Sequence, residues 1–282
     1  MENIIVYKDS DASVKSTFKK NNKLDSRGIM SISDTTRFHV FTPSSKNVDE
    51  LPCLFIFPGG GYEKLSMLGE GVEVAQEVIK NGIIAIVVQY RLPKGDFEAT
   101  IEGFYRLLRM LYQNSSLANI DWSSLHIMGF SAGAHLAGMV SHKIGFASFC
   151  KQRKLNWDLS YASNALIYPV ISTSASYSDQ GCVEKLLGER ICSTNRYSIS
   201  LERLNHHSCP HHFVLYTDDD TRISPQNAKD YVLSVEEQGI SIFTLRYKNG
   251  GHGFGLGRDL EHINGWFCKY VEWLNYVVLK KS

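Results

Sequence analysis

The sequence predicts an α/β fold in which a mostly parallel central sheet carries helices on both faces. Three observations lead there. Short apolar runs alternate with longer stretches of helical period, the pattern of repeated strand–helix–strand units. Several of those runs are continuously apolar, as strands buried on both faces require. A chain of 282 residues can bury a large core without disulfide or metal staples, so 1–282 reads as a single domain.

Taken in order, the first 35 or so residues are polar and weakly periodic, and read as an irregular N-terminal arm or first hairpin. Strands are expected at 37–41, 53–57, 83–89, 125–128, 165–168, 213–216 and 242–247. Helices are expected at 71–81, 99–113, 132–142, 225–238 and 264–279, each with apolar residues at three-and-four spacing. In the second helix Ile101, Phe104, Tyr105, Leu108 and Leu111 form one stripe, with Arg106 and Arg109 off it. The stretch 172–209 is longer than a usual connection and has no clear period. It reads as a cap or lid segment over a site.

Lysine and arginine number 30 against 29 acidic residues, with no long run of either sign. That removes the electrostatic case for a nucleic-acid or anionic-membrane partner and favours a small molecule. A monomer and a homo-oligomer are both compatible with this composition. The six cysteines show no C-x-x-C pair, so they are read as thiols. Met1 to Asp9 lack the basic start and apolar core of a secretory signal. No apolar stretch approaches the ~20 residues needed to span a bilayer. The expectation is a soluble, cytoplasmic protein.

The chemistry is concentrated in four places. Gly129-Phe130-Ser131-Ala132-Gly133 follows an apolar strand and opens a helix rich in small residues. This is the context in which a G-x-S-x-G turn presents a serine as nucleophile at the top of a sheet, in the α/β-hydrolase manner. Upstream, Pro58-Gly59-Gly60-Gly61-Tyr62 lies between a strand and a helix. Glycines there leave backbone N–H groups free to face a developing oxyanion. The N–H groups of Gly60, Gly61 and Ala132 are the expected donors. Neither a phosphate loop nor a dinucleotide fingerprint fits, since no Gly-Lys-Ser/Thr follows and G-x-G-x-x-G is absent.

Near the end, Gly250-Gly251-His252-Gly253-Phe254-Gly255 follows the last apolar strand, and His252 is the expected general base. His135, four residues past Ser131 on the helix, is read as a packing or surface residue. An acid is needed between serine and histidine in the order this fold uses. Asp218, Asp219 and Asp220 all follow the strand at 213–216. Asp220 is preferred because it ends the run, with Asp219 second. The cluster His206, His207, Cys209, His211 and His212 invites a metal reading. That reading is declined, because adjacent residues on an extended segment face opposite ways. No metal or organic cofactor is required, as a serine–histidine–aspartate set generates its own nucleophile.

Pro-Gly-Gly-Gly-Tyr at 58–62, Tyr90-Arg91-Leu92, Gly-Phe-Ser-Ala-Gly-Ala-His-Leu-Ala at 129–137, Tyr168-Pro169-Val170-Ile171-Ser172 and Gly-His-Gly-Phe-Gly-Leu at 251–256 together resemble the acetylxylan-esterase-like branch of the α/β-hydrolase esterase/lipase family. The resemblance runs from about residue 50 to the C-terminus. In that family the acid precedes an asparagine by seven positions, a spacing that Asp220 and Asn227 reproduce. The chain departs from the family pattern at Ala134, where a glycine is common, and at Gly103, where an acid is usual; Pro225 falls one position late.

The resemblance implies hydrolysis of short-chain acyl esters, acetyl groups on sugars or xylo-oligosaccharides among them. Tyr62, the 172–209 segment and the loop around Phe254 are expected to shape the alcohol side of the pocket. An amide or peptide hydrolase on the same fold, and a non-catalytic binding protein that kept it, are the alternatives.

Overall fold

The computed structural model describes residues 3–8, 13–44, 50–209 and 211–279. In chain order its main elements are β1 (Ile4–Lys8), α1 (Ser13–Asn21), β2 (Arg37–Thr42), β3 (Leu51–Phe57), α2 (Glu73–Lys80), β4 (Ile84–Gln89), α3 (Phe97–Gln113), β5 (Ile120–Phe130), α4 (Ala132–Ser141), α5 (Phe146–Gln152), β6 (Ser163–Ile167), α6 (Gln180–Leu187), α7 (Ser193–Ser198), β7 (His211–Thr217), α8 (Gln226–Glu237), β8 (Ser241–Tyr247) and α9 (Trp266–Leu279). The eight strands form one sheet in the order β1-β2-β4-β3-β5-β6-β7-β8. Neighbours run parallel throughout except for β2 against β4. Helices surround the sheet.

The continuous apolar runs become the central strands because only there are both faces covered: every residue of β4 and of β6 is buried. β5 begins at Ile120, earlier than its apolar stretch, since Asp121, Ser123 and Ser124 lie on a half-exposed overhang that carries no hydrophobic signal. α3 follows its stripe. Asp96 caps it by accepting the Ala99 N–H at 3.2 Å, and Ile101, Phe104, Tyr105, Leu108 and Leu111 are buried. Arg109 lies 5.4 Å from the Trp157 ring.

One expectation is corrected. The segment 1–35 is not an irregular arm: residues 1, 2 and 9–12 lie outside the described residues, but β1 extends the sheet by pairing Ile4–Lys8 with Phe38–Thr42. α1 docks through Phe18, which is fully buried against the His39 ring at 4.8 Å and Tyr7 at 5.7 Å. The sequence signal was weak because one apolar anchor per helix, with a partner far along the chain, leaves no period. Segment 172–209, without a clear period in the sequence, contains short helices. α6 buries Cys182, Val183, Leu186 and Leu187, and Leu201 beyond α7 is fully buried.

Candidate active site

Ser131 sits between β5 and α4 with φ +52° and ψ −120°, a conformation an L-residue adopts only when its surroundings impose it, at a cost of about 1–3 kcal/mol. The surroundings are the strand and the helix it joins. The Ser131 N–H donates to the Ile167 carbonyl of β6 at 3.0 Å, and its carbonyl accepts from Ala134 at 3.0 Å and from Val170 at 3.1 Å. Closeness of helix to strand demands a glycine at 133, where a Cβ would lie 2.2 Å from the Phe57 carbonyl oxygen. Position 131 is thereby fixed, with the Ser131 residue only 8% exposed.

His252 Nε2 lies 2.8 Å from Ser131 Oγ, and His252 Nδ1 lies 2.6 Å from Asp220 Oδ2. The other carboxylate oxygen of Asp220 accepts the N–H groups of Arg222 and Ile223, both at 2.9 Å. The three adjacent aspartates divide along the loop after β7. Asp218 pairs outward with Arg246 at 2.8 Å. Asp219 accepts the Gly250 and Gly251 N–H groups at 3.1 and 2.8 Å, which hold its carboxyl below the usual carboxylate range. Only Asp220 meets the histidine ring. Asn227, seven residues on, accepts the Ile171 and Ser172 N–H groups at 2.9 and 3.0 Å and so pins the strand end beside the site.

Gly60 and Gly61 line the same cleft as Ser131 and His252, a space of about 320 Å³. The left-handed turn at Gly60, φ +135°, brings the chain so close to itself that a Cβ would lie 2.1 Å from the Lys64 carbonyl oxygen. Ala132 is the first residue of α4, so its N–H has no intrahelical acceptor. The far wall comes from Cys182 and Lys185 of α6 together with Arg222, whose guanidinium pairs with Asp179. Ile29, from the N-terminal segment, also reaches the cleft.

Two expected pocket residues are elsewhere. Tyr62 is 1% exposed. Its φ of +59° goes with a side chain turned inward, where its hydroxyl meets His135 Nδ1 at 2.8 Å. Phe254 does not line the serine cleft; its ring packs edge-on to Tyr168 at 4.6 Å and borders a neighbouring cleft with Gly69 and Glu73. Adjacency to glycines in sequence does not reveal which way a side chain turns.

His135 is a core residue, its other ring nitrogen 2.7 Å from the Ile199 carbonyl oxygen, and burial lowers its pKa to about 4. His206 and His212 are buried too. His206 meets His142 at 2.7 Å and Ser234 at 2.9 Å, and His212 meets Tyr231 and the Cys209 carbonyl oxygen, each at 2.9 Å. Among the described residues no group of three or more histidine, cysteine or acidic side chains is arranged to hold a metal.

Sequence reasoning passed over Glu70. It lies in a widened π turn, Leu68–Val72, closed by the Val72 N–H on the Met67 carbonyl at 2.9 Å. Its carboxylate is buried and accepts the Gly59 N–H at 2.7 Å and the Tyr168 hydroxyl at 2.8 Å. Burial raises its pKa, an effect opposed by those two hydrogen bonds. A lone acid between glycines carries no spacing signal that could have singled it out.

A serine on a strained strand–helix turn, a histidine and an aspartate in one hydrogen-bonded line, and a glycine loop beside them define an α/β hydrolase. The BD-FAE family model matches residues 38–230, and the chain belongs to that family. It is similar to an acetylxylan esterase of Xylanibacter ruminicola, 28% identical over 231 residues that make up 80% of this chain and 45% of that protein. It is also similar to endo-1,4-beta-xylanase B of Butyrivibrio fibrisolvens, 29% identical over 220 residues, 76% of this chain and 34% of that one. The chain thus spans less than half the length of either relative. Among solved structures, an acetyl ester-xyloside bifunctional hydrolase from Caldicellulosiruptor lactoaceticus superposes with a TM-score of 0.73 at 25% identity, covering 86% of this chain and 88% of that one.

Proposed function

We propose that this protein is a serine carboxylic-ester hydrolase acting on short-chain acyl esters, acetyl esters of sugars or xylo-oligosaccharides foremost. The observation that carries the reading is the continuous line from Ser131 Oγ through His252 to Asp220, at 2.8 and 2.6 Å, opening on a cleft bordered by Gly60 and Gly61. The acyl preference and the sugar are supported by the relatives named above. Fold alone would not support them.

In this mechanism His252 Nε2 takes the Ser131 proton as Oγ attacks the ester carbonyl. The carbonyl oxygen becomes an oxyanion that the N–H groups of Gly60, Gly61 and Ala132 stabilise more than they stabilise the substrate. Collapse releases the alcohol, with His252 returning the proton to it, and leaves an acyl-Ser131. Water, deprotonated by His252, then frees the acid. Asp220 holds the Nδ1–H tautomer and stabilises the imidazolium.

All these groups sit at the ends of strands of one sheet, which supports one domain with 172–209 as its cap, since α6 supplies a wall of the cleft. Among the described residues no helix is long and apolar enough to cross a membrane. The six cysteines form no disulfide, which supports the cytoplasm as the compartment.

The test is hydrolysis of p-nitrophenyl esters from acetate to octanoate by the wild type and by Ser131→Ala. The proposal expects acetate or butyrate to be cleaved best and the variant to be inactive. Equal inertness of both proteins would remove the ester class and bring amide substrates or a binding role forward.

A further inference from the structure

We infer that Glu70 is a positioning residue that holds the Gly59–Gly61 loop and the His252 loop at a fixed separation across Ser131. The inference rests on the esterase reading above. Two loops from opposite ends of the chain converge on the serine, and neither belongs to a helix or strand that would fix it. Glu70 reaches both. One carboxylate oxygen takes the Gly59 N–H at 2.7 Å, immediately before the two glycines that line the cleft. The other takes the Tyr168 hydroxyl at 2.8 Å, and that hydroxyl accepts the Gly255 N–H at 3.0 Å, three residues beyond His252.

Tyr168 is itself held. It follows the last residue of β6 with φ +35°, donates its own N–H to the Leu215 carbonyl at 2.7 Å, and packs its ring against the His252 ring at 4.9 Å. Gly255 is held from the far side by Trp266, whose indole N–H donates to its carbonyl at 3.1 Å. Glu70 therefore closes a path of hydrogen bonds that begins at the oxyanion loop and ends on the base loop.

Both partners donate to Glu70, so both of its oxygens must accept. Glutamine has one acceptor and one NH₂. Whichever way its amide turns, either the Gly59 N–H faces another donor or the tyrosine hydroxyl must reverse. Since that hydroxyl already accepts from Gly255, reversal strands its proton. Displacing catalytic groups by about 1 Å costs about 100-fold in rate, and the displacement acts on transition-state geometry rather than on substrate capture.

The experiment measures kcat and KM on p-nitrophenyl acetate, and the rate at which a fluorophosphonate labels Ser131, in wild type, Glu70→Gln, Tyr168→Phe and the double variant, with thermal melting alongside. The expected result is a kcat lowered about 10–100-fold at near-constant KM and labelling slowed in parallel. The double variant should be little worse than the poorer single one, because both substitutions break one path. If Glu70→Gln fails to fold, Tyr168→Phe, which removes a single oxygen, carries the same kcat expectation.

Unchanged kcat in the folded variants, a loss confined to KM, or multiplicative losses in the double variant would overturn the inference. An active wild type with a silent Glu70→Gln sinks the clamp alone. A wild type that neither turns over nor is labelled sinks the esterase reading and the clamp with it.

Discussion

Replacing Asp220 by asparagine is expected to remove almost all turnover while sparing the fold, for a reason visible in the carboxylate's partners. One oxygen accepts two backbone N–H groups, from Arg222 and Ile223 at 2.9 Å each, and the other meets His252 Nδ1 at 2.6 Å. An asparagine has one oxygen to share. Turned toward the backbone it satisfies two donors, and turned toward the histidine it satisfies one. A buried donor left unmatched costs about 1–3 kcal/mol, so the backbone orientation wins by roughly that margin. The NH₂ group then points at Nδ1, which must accept, and the ring proton moves to Nε2, where it blocks abstraction from Ser131.

That margin alone leaves roughly 1–20% of the molecules in the working tautomer. The lost negative charge, which stabilises the imidazolium formed during attack, supplies the rest of a total near 10⁴. The assay is kcat/KM on p-nitrophenyl acetate with a melting curve, against Asp219→Asn as control. Asp219 reaches the base loop through the Gly250 and Gly251 N–H groups and does not touch the ring, so its variant should stay within about tenfold of wild type. If Asp220→Asn kept a tenth of the activity, or if Asp219→Asn lost more, the assignment of the acid would be wrong.

The remaining predictions concern stability. Burial lowers the pKa of His142 to about 4 and of His206 and His212 to about 3, whereas the unfolded chain takes up those protons near pH 6.5. Stability from these sites is complete above about pH 6.5, falls as the pH drops below it, and stops falling near pH 3–4; at pH 5 each well-buried histidine removes about 1–2 kcal/mol. Urea midpoints at pH 7.5 and 5 check this, and equal midpoints would contradict it. Gly133→Ala forces a Cβ to within 2.2 Å of the Phe57 carbonyl oxygen and should cost about 3 kcal/mol or more. Gly61→Ala, whose Cβ would meet only Arg222 at 4.0 Å, should cost about 1–2 kcal/mol, from its left-handed backbone alone; denaturant titration ranks the two. Asn227→Ala strands the Ile171 and Ser172 N–H groups and should cost about 2–4 kcal/mol, read as a lowered urea midpoint.

What could be read from sequence follows from where information is local. The apolar runs that became β3 and β4 are legible because burial on both faces leaves no polar position. The Gly129–Gly133 turn is legible because a tight strand–helix junction needs small residues at fixed offsets. The order of serine, acid and histidine then restricts the partners to a few positions. Tyr62 was misplaced because a backbone angle, not a neighbouring residue, decided its direction. β1 and α1 were missed because Phe18 finds His39 and Phe41 only once the sheet exists. Glu70 was invisible for the same reason: its partners are 11 and 98 residues away.

The loop after β7 spells the same residue three times, yet no two copies do the same work. Asp218 reaches the side chain of a neighbouring strand, Asp219 the backbone leading to the base, and Asp220 the base itself. Composition there says nothing about role, and position says everything. Deleting one aspartate would leave two of the three letters in place and shift each remaining one into its neighbour's duty, so the loop should absorb changes of identity at Asp218 far better than any change of length. A chain that loses a single codon here would still look intact to a motif search, yet the aspartate that meets His252 would be out of register.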